Sequence, residues 1–140
     1  MSNEVQRPVP EITPRMRPFW KAAAEGRLVV QRCNDCGKKH FPAVEICNGC
    51  LRDDLRWIDV SGRGCVFSFV VMHQVYHPAF AGHVPYVVAD VQLDEGPRII
   101  SNVIGCDPQD VEIGMAVIVE FQPPAGSATG PAMPMFRSAS

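Results

Sequence analysis

Apolar residues are spaced unevenly along the chain, and the spacing changes character twice. The opening "MSNEVQRPVPEIT" is polar, and Pro8 and Pro10 forbid regular pairing, so residues 1–13 read as a flexible arm. "TPRMRPFWKAAAEG" then reads as a short helix. Thr13 is a candidate N-cap, Pro14 or Pro18 suits a first turn, Lys21 to Glu25 are helix formers, and Gly26 is a candidate stop. A start at Pro18 shortens this helix to about two turns. "RLVVQRC" reads as an extended strand running into a pair of cysteines.

Beyond Cys50 the pattern becomes one of β-branched and aromatic runs. "GRGCVFSFVVMHQVYH" (Gly62 to His77), "PYVVADVQL", "PRIISNVIG" and "MAVIVEFQ" are each bounded by Gly, Pro or Asp. "LDEGPR" suits a hairpin connection, and "CDPQDVEIG" suits one helical turn capped by Asp107 or Asp110. "PPAGSATGPA" reads as a loop, with "MPMFR" a fifth short strand after it. Strands this short and this evenly spaced suggest a small closed barrel, the OB-fold being one option.

The first of these runs is apolar on both faces. Cys65, Phe67, Phe69 and Val71 share one parity; Val66, Ser68, Val70 and Met72 share the other. A half-solvated strand alternates, so one face fills the barrel and the other needs a cover. That cover is the cysteine-bearing segment, another subunit, or "RPFWKAAA" from the helix.

Candidate chemistry concentrates in "RCNDCGKKHFPAVEICNGC", Arg32 to Cys50. Cys33 and Cys36 form one Cys-x-x-Cys pair and Cys47 and Cys50 another, with ten residues between them. Two intervening residues let both thiolates of a pair face a common centre. Gly37 lets the backbone curl toward the sulfurs, and Gly49 lies inside the second turn. Four thiolates suit tetrahedral zinc, with iron the alternative; two disulfides or a dithiol redox site compete. Redox pairs usually open a helix, and Pro42 and the second pair argue against one here. Four protein ligands leave no position for water or substrate, so the metal is expected to be structural. Arg32, Lys38, Lys39 and Arg52 lie close enough in sequence to offset its charge.

Little else suggests catalysis. Cys65 and Cys106 have no sequence-local base; His73, His77 and His83 read as exposed loop histidines, His73 and His77 matching no metal spacing unless the chain turns between them. "GRG" at Gly62 to Gly64 is too short for a phosphate loop, and neither a Ser-His-Asp set nor paired carboxylates emerge. Catalysis by this chain alone is not expected.

Composition narrows the class further. Hydrophobic residues make up 46% and charged residues 20% of 140, enough for a core, at a net charge of −2. Residues 1–60 carry ten Lys and Arg against eight Asp and Glu; residues 61–140 carry three against seven. The barrel half is therefore acidic, which opposes nucleic acid. No apolar run reaches the roughly 18–20 residues that cross a bilayer, and the N-terminus shows no secretory core. A reducing, cytoplasmic setting is the expectation.

Taken together, "RPFWKAAAEGRLVVQRC", "CNDCGKKHFPAVEIC", "GRGCVFSFVVMH", "PYVVADVQLDEG" and "DVEIGMAVIVEF" resemble a known family over roughly residues 15–137. It pairs a rubredoxin-like zinc ribbon with an OB-fold, is named for its unknown function and is often called acyl-CoA-associated. The resemblance implies a mainly β chain. With the arm read above at 1–13, it implies an N-terminal helix and zinc ribbon over 14–60 and a five-stranded OB-fold barrel over 61–140. It implies zinc on Cys33, Cys36, Cys47 and Cys50, with iron possible. Leu51 stands where many ribbons have Gly. It also implies an accessory, non-catalytic scaffold subunit in a hetero-oligomer with a thiolase-like enzyme, acyl-CoA aldolase or acyltransferase. Tyr76, His77, Phe80 and Tyr86 are then candidates for lining the acyl-CoA route. The barrel half offers only Arg63, Arg98 and Arg137 to a phosphate-rich head group. A single-stranded nucleic-acid-binding module is the alternative, and a stand-alone zinc enzyme a third reading.

Overall fold

Helix α1 (Arg17–Ala24) begins one residue before the later of the two prolines, in a computed structural model that describes residues 11–74, 84–122 and 131–139. Pro18 lies in the first turn, where a missing N–H costs nothing. Thr13 caps a separate turn instead: its carbonyl and Oγ1 accept from the Met16 N–H at 3.1 and 3.4 Å. The helix closes on Gly26 at φ +76°, with the Gly26 and Arg27 N–H groups donating to Ala23 and Ala22. That is a Schellman closure. Phe19, Ala22 and Ala23 form its buried face.

The ribbon is a three-stranded antiparallel sheet in the order β2 (Lys39–His40), β1 (Leu28–Cys33), β3 (Leu55–Val60). Central β1 is buried along almost its whole length, since α1 covers it. Strand β3, "LRWIDV", pairs with every residue of β1 from Leu28↔Val60 to Cys33↔Leu55. Its alternation of exposed Arg56 and Asp59 with half-buried Trp57, Ile58 and Val60 gives a weak strand signal in sequence.

A closed five-stranded barrel follows, with β4 (Arg63–Met72), β5 (Tyr86–Leu93), β6 (Arg98–Ile104), β7 (Ala116–Gln122) and β8 (Met133–Ser138) in the order β4-β5-β6-β8-β7. Strand β8 runs parallel to β6 and antiparallel to β7, and β4 pairs back to β7. This is an OB-type barrel. The "LDEGPR" hairpin is closed by the Leu93 N–H to the Pro97 carbonyl at 2.9 Å. A 3₁₀ turn at Pro108–Asp110 is capped by Asp107, whose Oδ1 accepts from the Gln109 N–H at 3.0 Å.

The two-faced character of β4 has a specific cause. A bulge between Val66 and Ser68 inserts Phe67 as an extra residue against β5, so strict parity does not hold along the strand. Val66 pairs with Val91 before it, and Phe69 and Val71 pair with buried Ala89 and Val87 after it. All three side chains therefore join the core. Phe67 and Val70 are left outside, 50% and 56% exposed. The helix does not cover them. Its outer side borders β6 and β8 instead, in an apolar cleft lined by Met16, Trp20, Ile99 and Met135.

Ribbon and barrel share one core. Phe19, Leu28 and Val30 belong to the same buried cluster as Val66, Val91, Val117 and Phe136. Phe19 lies edge-on to Trp20 at 5.1 Å and beside Phe41 at 5.2 Å. Burial of such a side chain stabilises by about 1.5–3 kcal/mol. At the junction, the Ser61 N–H and Oγ bond to the Glu95 carboxylate at 2.9 and 3.4 Å.

Candidate metal centre

Two tight turns built on one plan bring the cysteines together. In the first, the Cys33 N–H donates to the Lys38 carbonyl at 2.8 Å and the Gly37 N–H to the Cys33 carbonyl at 2.9 Å. In the second, the Cys47 N–H donates to the Arg52 carbonyl and the Leu51 N–H to the Cys47 carbonyl, both at 2.8 Å. The turns are related residue for residue, so the two sulfur pairs face each other.

The four Sγ atoms lie within 4.8 Å of one another, with Cys33–Cys50 and Cys36–Cys47 both at 3.5 Å. A disulfide needs about 2.05 Å, and these cysteines are free. Tetrahedral zinc–sulfur bonds of about 2.3 Å set sulfurs about 3.8 Å apart, which the observed cluster approximates. Cys33 and Cys47 are buried, Cys50 is half-buried and Cys36 is exposed. Among the described residues, no other group of metal-ligating side chains converges.

The electrostatics favour a cation at the centre. Burial pushes the Cys47 thiol up, but the Cys50 and Gly49 amides and the His40 ring outweigh it and hold it at about 6. The Arg52 amide favours the Cys50 thiolate, yet burial and the three facing sulfurs push that thiol up to about 12. Four sulfurs this close cannot all ionise without a compensating positive charge. The donor set, its spacing and its charge all fit a bound metal ion. Of the neighbouring basic residues, Arg52 pairs with Asp35 at 3.5 Å, and a Cβ at Gly37 would lie 3.5 Å from the Arg32 guanidinium.

Two buried polar residues escaped the sequence reading. Gln31 Oε1 accepts from the Val44 N–H at 2.7 Å, fixing the path between the turns. His40 places Nε2 3.3 Å from Cys47 Sγ. The only advance signal was the place of His40 four residues after Cys36.

The other candidates are dispersed. Tyr76, His77 and Phe80 lie outside the described residues, as does His83. Tyr86 opens β5, half-buried and paired with Met72. Exposed His73 follows the end of β4. Cys106 packs against the core, and burial with nearby Asp110 and Asp107 pushes its thiol up, the opposite of an activated nucleophile. Among the described residues, no helix is long and apolar enough to cross a membrane.

Comparison with known proteins agrees with this architecture. Residues 20–56 match the ChsH2 rubredoxin-like zinc ribbon domain and residues 57–122 the ChsH2 C-terminal OB-fold domain. A probable enoyl-CoA hydratase alpha subunit of Thermomonospora curvata is 40% identical over 134 residues, covering 95% of this chain. The chain spans only 40% of that protein's length. A DUF35 domain-containing scaffold protein of Methanocaldococcus jannaschii is 41% identical over 96 residues, covering 68% of this chain and 67% of its own. A solved structure described as an Ltp2-ChsH2(DUF35) aldolase superposes with a TM-score of 0.83 at 36% identity, covering 94% of this chain and 99% of that one. The chain is a member of the DUF35 family, a ChsH2-type zinc ribbon joined to an OB-fold.

Proposed function

We propose that the protein is a non-catalytic scaffold subunit of an acyl-CoA-processing complex, with a structural zinc ion on Cys33, Cys36, Cys47 and Cys50. The observation that carries this reading is the closed sulfur set, which offers an ion four protein donors and leaves no position for substrate. In this reading the chain divides at 1–13, 14–60 and 61–140, with the last two segments packed on one shared core. The ion holds the ribbon, the ribbon holds β1 against α1, and the barrel presents the docking surface. The partner is a thiolase-like, aldolase, acyltransferase or hydratase subunit, which makes and breaks the bonds. Relatives described as an enoyl-CoA hydratase alpha subunit and a DUF35 scaffold protein support that assignment. The exposed Phe67, Val70 and Ile100 on the outer barrel give an apolar surface of the kind partners cover. A cytoplasmic setting keeps the thiolates reduced.

The acyl-CoA route belongs to the same proposal: Tyr86 at the start of β5, with Tyr76, His77 and Phe80 before it, would line the passage beside the partner. Zinc is preferred to iron because a closed thiolate site with no redox task needs only a d¹⁰ ion. The nucleic-acid alternative loses its best platform. Arg98 stacks over Phe67 at 4.5 Å but is also paired with Asp90 at 3.4 Å, and this half of the chain is acidic.

Co-expression with the candidate enzyme subunit tests the proposal. Copurification at a fixed ratio, with acyl-CoA turnover only when both chains are present, is the expected result. Turnover by this chain alone, or tight salt-sensitive binding to oligo-dT, would overturn it.

A further inference from the structure

Gln31 and His40 are the buried polar side chains among the described residues, and they face each other across β1 and β2. His40 is 5% exposed, and its Nε2 lies 3.3 Å from Cys47 Sγ. The Gly49 N–H reaches the same sulfur at 3.3 Å. The His40 ring nitrogen, from β2, and the Gly49 N–H, from the second turn, therefore converge on one sulfur.

The near-symmetry of the two turns makes this arrangement informative. His40 stands four residues past Cys36, and Asp54 stands four past Cys50. Asp54 turns to the first knuckle and accepts from Asn34, with its carbonyl at 2.8 Å and Oδ1 at 2.9 Å. A carboxylate at that place has no proton to give a thiolate. His40 in its Nε2–H tautomer has one, and it reaches across from the first knuckle to the ligand of the second. Cys47 is one of the two buried sulfurs, where a hydrogen bond meets little competition from water.

We propose that His40 is a positioning residue of the metal centre: it donates Nε2–H to the Cys47 thiolate, ties the two knuckles together and slows loss of the ion. The inference rests on the metal reading above. An N–H aimed at a thiolate draws charge from the sulfur, holds it ionised and fixes its lone pairs. Exchange of a bound ion would then be expected to start at the exposed Cys36 rather than at the buried Cys47.

The full-length, metal-loaded chain provides the test, using His40→Phe, which keeps a ring and removes the donor, and His40→Gln, which keeps an N–H. Metal content, release of zinc to a chromogenic chelator and, after iron loading, the Fe(III)/Fe(II) potential are measured. The expected result is one ion per chain in all three proteins and release about 10- to 100-fold faster in His40→Phe. Its iron potential falls, because fewer hydrogen bonds to sulfur disfavour the more negative reduced centre. His40→Gln recovers most of both effects. Wild-type release and potential in a folded His40→Phe protein would overturn the proposal. Should His40→Phe not fold, His40→Met against His40→Gln makes the same comparison. Less than one ion per wild-type chain would overturn the metal reading itself.

Discussion

Gly37 and Leu51 occupy the same place in the two knuckles, at φ +79° and +64°, each donating its N–H to the carbonyl of the first cysteine of its pair. Left-handed backbone costs a side-chain-bearing residue about 1–2 kcal/mol, which glycine avoids. Leu51 is 78% exposed, so it recovers nothing by packing. Leu51→Gly should therefore stabilise the protein by about 0.5–1 kcal/mol, after glycine's own entropy cost is counted. Urea unfolding of the metal-loaded chain reads this as a higher midpoint at unchanged slope; a lower midpoint would contradict it.

Metal removal should be severe and specific. Structural zinc contributes on the order of 10–16 kcal/mol of binding free energy in small thiolate sites. Cys36→Ser, at the exposed ligand, should drop metal content well below one per chain and loosen the ribbon. Cys65→Ser and Cys106→Ser should keep full content. Elemental analysis of the three variants decides the ligand set.

Close approach of main chains makes Gly64 sensitive for a different reason. A Cβ there would lie 2.3 Å from the Gln92 carbonyl oxygen and 3.1 Å from Leu93 Cα, where no side chain can swing aside. Gly64→Ala should destabilise by about 1–3 kcal/mol or more, seen as a lower thermal midpoint with metal still bound.

An ion-pair cluster predicts a pH dependence. Arg27 contacts Glu25 at 2.7 Å and Asp59 at 2.5 Å, joining the end of α1 to β3. Hydrogen bonding from Arg27, then its charge, holds the Glu25 carboxyl below its usual range. The native carboxylate is thus the favoured form. Its stabilisation is present above the unfolded-state pKa and disappears as pH falls through the native one. The difference in thermal midpoint between wild type and Glu25→Gln should be small at neutral pH, since both groups are solvated, and vanish in acid. A difference that grows on acidification would refute the sign.

The outer barrel gives the test of docking. Val70→Glu with Ile100→Glu should leave the isolated chain folded, because both are more than half exposed, and should weaken copurification with the partner. Unchanged copurification would move the interface elsewhere.

Much of this was legible in the sequence, for physical reasons. The doubled Cys-x-x-Cys needs only local geometry, so four ligand candidates could be read from spacing; β-branched runs between breakers marked four barrel strands, and the short apolar "MPMFR" after a loop marked the fifth. What depended on tertiary pairing was less legible. Strand β3 carries Arg56 and Asp59 among its apolar residues and is defined by β1 beside it, not by its own pattern. The bulge at Phe67 moves Val66 and Phe69 to one face although their parity differs. His40 sits on a two-residue strand, too short to have a periodicity, and its importance appears only once Cys47 is beside it.

Strand β3 has one more implication, for anyone who would divide the protein. The ribbon match ends at residue 56 and the OB match begins at 57, yet Leu55–Val60 is one unbroken strand zipped to β1 along its full length. Cutting at that seam would strip β1 of its neighbour and bare the aliphatic side chains beneath Phe19. Neither fragment should express as a tractable sample: the two matched segments are halves of one folded body.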